Sequence, residues 1–219
     1  MHTYSTDNPL RPKVLGLFGL ISYLIVSILN SLMPVLQENI AGFLPTSPLT
    51  WGVVFGLIFK GFNSRAWNWD IFRDIELVKV PDFNGKWTGY YATSSQDVPQ
   101  SKIKQDCTVE GDLTPVKAEL DIKQDWRNIC VHFDPVTSSS SDSCAASILT
   151  QDGYWPSLTY QYKNEPYPES DEDMKTHDGT ADLDLKQEDG KQVLEGHYYT
   201  GSSRESYGKL RFERMTEDS

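Results

Sequence analysis

The sequence predicts two N-terminal transmembrane α-helices followed by an all-β domain, a roughly eight-stranded up-and-down barrel of lipocalin-like form. Three observations carry that expectation. Val14 to Leu36 runs 23 residues without a charged side chain, and Asn39 to Phe59 a further 21. From Gly85 onward, short segments alternate apolar or aromatic residues with polar ones, the period-2 signature of strands with one buried face. The charge is also divided: residues 1–79 hold six Lys/Arg against five Asp/Glu, and the remainder 14 against 26.

Residues 1–13 read as a polar cytoplasmic lead-in carrying Arg11 and Lys13. A transmembrane hairpin follows over 14–62. At about 1.5 Å per residue its first run spans roughly 34 Å, enough for a hydrocarbon layer of about 30 Å. A cleaved signal peptide is the competing reading. The length of the run, Pro34 in its last turn and the second apolar block weigh against it. Pro45 and Pro48 divide the second block, leaving a helix over 49–62 that is short for a crossing. Trp51, Trp67 and Trp69 suit interfacial belts. Arg11 and Lys13 precede the first block, and Lys60 and Arg65 follow the second. The positive-inside rule therefore places the N-terminus and the β domain in the cytoplasm, with a short external hairpin near 37–47. Gly16/Gly19 and Gly52/Gly56 offer small surfaces for helix contact. Residues 63–81 form a linker whose Trp67, Ile71, Ile75 and Val78 fall near one helical face, and Pro81 ends it.

The barrel domain, 82–219, reads as strands at 85–94, 116–125, 128–134, 143–150, 157–163, 179–187, 192–200 and 207–214. Trp87, in Gly85-Lys86-Trp87, suits a ring that plugs one end of a barrel. Residues 95–115 read as an insertion. The segment 135–143, with four consecutive serines, and the acidic segment 166–176 read as loops. Closing the sheet removes exposed edges, and an eight-stranded barrel holds packed side chains or one small ligand.

Several function classes are excluded. The acidic barrel argues against duplex nucleic acid, which needs a basic field. Three cysteines without metal-ligand spacing read as free thiols in a reducing compartment. His2, His132, His177 and His197 are scattered, with no metal spacing. No Gly-x-Ser-x-Gly, phosphate-loop or dinucleotide fingerprint occurs. The expectation is therefore a non-enzyme, with no catalytic residue, metal or cofactor.

A binding site reads better. Tyr160, Tyr162 and Asn164 share one strand face, so two rings and an amide line one wall. His177 enters a strand where a rim contact is open to it. Tyr199, Thr200 and Arg204 lie where another strand reaches its turn, and Gln124 and Trp126 end a third. Rings stack on bases, amides and hydroxyls read base edges, and Arg pairs with phosphate. The same rings would serve equally as ordinary barrel core.

One resemblance joins these features. Two membrane segments precede Val80-Pro81-Asp82-Phe83-Asn84-Gly85-Lys86-Trp87-Thr88-Gly89, then Ile122-Lys123-Gln124-Asp125-Trp126. After them come the Ser138–Ser141 run, Leu158 to Pro166 with Tyr-Lys-Asn-Glu-Pro, His177-Asp178-Gly179-Thr180-Ala181, and Leu194 to Gly201. In this order the set resembles the membrane effectors of CBASS, bacterial cyclic-oligonucleotide-based antiphage signalling. Asp125 departs from the family's Gln-Thr-Trp, and the segment after Gly201 is less basic. The resemblance implies a barrel that binds a cyclic dinucleotide made by a partner CD-NTase. It also implies self-association on activation and disruption of the inner membrane lipid, which kills the infected cell. The alternative is a membrane-tethered carrier of a small apolar ligand.

Overall fold

Nine strands close the barrel in the computed structural model, one more than the sequence predicts. It describes residues 1–7, 10–39, 50–94, 103–104, 112–135, 139–150, 154–167, 176–201 and 206–215. The strands are β1 (His2–Thr6), β2 (Gly85–Thr93), β3 (Thr114–Gln124), β4 (Asn128–Asp134), β5 (Ser139–Leu149), β6 (Ser157–Pro166), β7 (His177–Glu188), β8 (Lys191–Thr200) and β9 (Tyr207–Arg214). β2 to β9 form an antiparallel meander, and β2 also pairs with β9. β4 and β5 pair only at His132–Asp142 and Phe133–Ser141. β1 fills the rest of that seam, antiparallel to β4 and parallel to β5.

This strand corrects the reading of the N-terminus as a lead-in. Without β1, both β4 and β5 would present unpaired backbone along the seam. Tyr4 is its inward anchor: it is buried, and its hydroxyl donates to the Trp126 carbonyl at 2.9 Å. His2 Nε2 lies 2.8 Å from Ser143 Oγ, which also accepts from the Val131 N–H at 2.9 Å. The serine run is corrected too. Ser139, Ser141 and Ser143 are buried positions of β5 rather than a loop.

The topology gives the barrel two unlike ends. At one lie the Asp125–Arg127 and Asp189–Gly190 turns, the end of β5, the start of β6 and the start of β2. The turn after β3 is tight, because Asp125 Oδ1 accepts from the backbone N–H groups of Arg127 and Asn128. Trp87 plugs this end, fully buried, with its indole N–H donating to the Phe83 carbonyl at 3.0 Å. The Arg214 guanidinium lies 5.0 Å from the ring centroid. At the other end β2, β4, β6 and β8 finish and β3, β5, β7 and β9 begin. β1 runs parallel to β5 and β2 starts beside Ile122, so β1 ends and β2 begins at the plugged end.

A second unit comprises Asn8–Lys79, while Met1–Asp7 and Val80–Ser219 form the barrel unit. Its helices are α1 (Arg11–Asn39), α2 (Trp51–Ser64) and the short α3 (Asp70–Asp74). Phe18 of α1 meets Phe62 of α2 edge to face, centroids 4.7 Å apart, and the Trp51 indole donates to the Gly19 carbonyl at 3.0 Å. Leu20, Leu24, Ile28 and Leu32 stay exposed on α1, a lipid-facing rather than core distribution. Among the described residues, α1 is the one helix long and apolar enough to cross a membrane, and α2 has 14 residues. The expected amphipathic face of the linker is not continuous: Trp67 and Val78 are buried while Ile71 and Ile75 are exposed. The chain there breaks at Glu76, whose φ is 53°.

Candidate ligand-binding site

Cross-strand partners face the same side of a sheet, so the registers define the interior. Tyr162 is paired with Ser143 and Gly179, and Asn164 with Ser141 and His177. Gly179 is paired in turn with Thr200, and Thr93 with Thr114 and Gly208. All of these lie toward the end away from the Trp87 plug. The deeper layer is apolar, with Leu120, Ile122, Ile148, Leu158, Leu183, Leu194 and Phe212 fully buried. The barrel interior is therefore apolar toward the plugged end and polar and aromatic toward the other, the cup end.

Two aromatic walls face the cup. On β6 the Tyr160 and Tyr162 rings lie 6.1 Å apart with planes inclined at 53°. On the other side Tyr91 packs edge-on against Phe133 at 5.5 Å and Tyr198 at 6.2 Å. Burial, and then the neighbouring Tyr162, push the Tyr160 hydroxyl far above its ordinary pKa, so this ring stays a neutral phenol. A Cβ at Gly179 would run into the Tyr162 ring, so a glycine is needed for that ring to keep its place.

Polar groups are spread between the rings. Ser139, Ser141, Asn164 and His177 are all buried. Asn164 is 5% exposed, and among the described residues nothing accepts a hydrogen bond from its Nδ2. A buried amide donor without a partner costs about 1–3 kcal/mol. Such a group is poised for an acceptor brought by a ligand.

The sequence-predicted residues divide. Tyr160, Tyr162, Asn164, His177 and Thr200 meet on adjoining inward positions of β6, β7 and β8. The Thr200 hydroxyl donates to the Ser206 carbonyl at 3.0 Å and accepts from the Ser206 N–H at 2.8 Å. It thereby closes the foot of the connection that carries Arg204, which lies outside the described residues. Tyr199 is on the outer face, 60% exposed. Gln124 and Trp126 lie at the plugged end, away from the others. Gln124 Oε1 accepts from the Phe83 N–H at 2.8 Å, and its Nε2 donates to the Pro81 carbonyl at 3.1 Å. The Trp126 carbonyl receives Tyr4. Sequence reading missed Tyr91, Phe133, Tyr198, Ser139 and Ser141. The signal for Tyr91 was available, since it is four residues from the Trp87 plug and so on the same strand face.

The closed barrel thus holds an apolar layer at one end and, toward the other, rings, hydroxyls and an unsatisfied amide, groups whose chemistry suits a small ligand that is both ring-bearing and polar. A family model described as Cap15, cyclic dinucleotide receptor domain, matches residues 78–214. The curated CD-NTase-associated protein 15 of Yersinia aleksiciae is 30% identical over 168 residues, covering 75% of this chain and 68% of that protein. No solved structure matches the chain significantly. The chain belongs to the Cap15 family of cyclic dinucleotide receptors, and its resemblance to CBASS effectors is borne out. Its ligand is a cyclic dinucleotide, and the family's domain is that of a receptor.

Proposed function

We propose that the open cup takes up a cyclic dinucleotide supplied by a partner CD-NTase, and that capture drives self-association and inner-membrane disruption that kills a phage-infected cell. The supporting observation is the unsatisfied Asn164 amide, set between the Tyr162 ring and the pocket mouth. Stacking on Tyr160 and Tyr162 and a donor to a base carbonyl suit a nucleobase better than an acyl chain, which would leave the Asn164 amide unpaired. Arg204, on the connection held by Thr200, is assigned to phosphate. Gln124 and Trp126 are assigned to holding the plugged end.

The ligand favours an assembled state only through its higher affinity for that state. Tyr199 and Tyr207 stand directly opposite one another on the outer face, both more than half exposed, near the mouth. They are assigned to barrel–barrel contact, with Gly16, Gly52 and Gly56, whose surroundings are open, available for helix contact.

The test is calorimetric titration of the detergent-solubilised full chain with a panel of cyclic dinucleotides and, separately, a fatty acid. One nucleotide binds, and Tyr162→Ala weakens it at least tenfold, about 1.4 kcal/mol. Tyr199→Ala leaves affinity in place and lowers the ligand-induced increase in mass seen by light scattering. A chain that binds the fatty acid and no nucleotide overturns the reading.

A further inference from the structure

We propose that Leu149, Tyr154 and Trp155, at the tip between β5 and β6, form an anchor that enters the headgroup layer of the phospholipid bilayer. The inference rests on the reading of α1 as a membrane span. On an otherwise acidic barrel these residues are 41%, 80% and 54% exposed. Leu149 ends β5 and the two rings shortly precede β6, at the plugged end, where β1 ends and β2 begins.

The tip is tied to the strand that leads into the membrane. The Asp7 carboxylate accepts from the Thr150 backbone N–H at 3.0 Å and from the Thr150 hydroxyl at 2.9 Å. Its far side is fixed by the Leu185 N–H donating to the Pro156 carbonyl at 2.8 Å. From Asp7 to Arg11, the first residue of α1, the chain reaches about 14 Å at full extension. Arg11 and Lys13 then flank the apolar run, at the depth where basic residues meet lipid headgroups. A covalent leash that short holds the tip within reach of the interface. The side chains suit that layer, since Trp and Tyr combine an apolar ring with a hydrogen-bonding edge and concentrate there.

The test uses the full chain in nanodiscs of phosphatidylcholine brominated near the headgroup, read by tryptophan fluorescence. Trp155→Phe lowers the bromolipid-quenched emission by about one tryptophan's share of the six in the chain. Nucleotide binding by the same variant in detergent shows that the barrel is folded. Resistance of the chain to carbonate extraction from vesicles reports on the span separately. A carbonate-resistant chain whose quenched emission is the same in both proteins overturns the anchor and leaves the span standing. A chain stripped by carbonate overturns both. Should Tyr154→Ala/Trp155→Ala abolish self-association in detergent with quenching unaffected, the tip is a protein interface and the anchor is overturned.

Discussion

Asn164 shows how one side chain can trade stability for recognition. Tyr162 precedes it on the same face of β6, and its cross-strand partners are Ser141 and His177. Yet its Nδ2 has no acceptor among the described residues. Replacing an unsatisfied buried amide by an apolar group of like size removes a desolvation penalty rather than a bond. Asn164→Leu should therefore leave the ligand-free chain as stable as the parent, or more stable by about 1 kcal/mol. Nucleotide affinity should fall tenfold or more in the same variant. Chemical denaturation and titration of one preparation check both halves. A variant that loses stability while keeping affinity would show the amide to be structural. The reading of Tyr160, Tyr162 and Asn164 as one wall was legible in sequence, because alternation along a single strand fixes which residues share a face. Gln124 and Trp126 were not separable from them by the same means, because which end of a barrel a strand terminus reaches depends on the topology.

At the scale of elements, β1 is the lesson. The meander β2 to β9 was largely legible, since each strand carries its own alternation and most are bounded by turn formers. His2 to Thr6 carries one large apolar residue, Tyr4, and its identity as a strand comes from the gap between β4 and β5. That gap is a tertiary fact, invisible to a pattern read along the chain. The same cause hid Ser139, Ser141 and Ser143, whose small polar side chains are buried on the inward face without an apolar pattern to mark them. If β1 closes the seam as described, Tyr4→Phe removes the buried bond to the Trp126 carbonyl. It should lower stability by about 1–2 kcal/mol, read as a reduced melting temperature of the solubilised chain. An unchanged melting temperature would mean that the strand contributes little to closing the barrel.

For the molecule as a whole, β1 constrains membrane topology more tightly than the charge pattern does. Strand pairing cannot cross a bilayer, because every backbone group within the hydrocarbon must be satisfied inside a helix or a closed barrel. A chain whose first strand pairs with β4 and β5 of the same barrel must therefore leave and return to one side, so its crossings are even in number. If α1 spans, the segment before the barrel must come back across. At 1.5 Å per residue, the 14 residues of α2 cover only about 21 Å, against about 30 Å of hydrocarbon. The return thus either recruits residues before Trp51 or thins the lipid around it. Thinning is the strain that many assembled copies would concentrate in one patch. The two-pass arrangement predicts a labelling pattern. Cys144 is exposed on the barrel. In a Cys107→Ser/Cys130→Ser chain, an impermeant maleimide should spare it in spheroplasts and react with it in inverted membrane vesicles, with the added Cys144→Ser removing that signal. In that cysteine-free background, Gly42→Cys should show the opposite pattern, reacting in spheroplasts. Labelling of position 42 from the cytoplasmic side alone would mean that the segment never reaches the far face. The helices would then lie on the membrane instead of crossing it, and disruption would have to work from one leaflet.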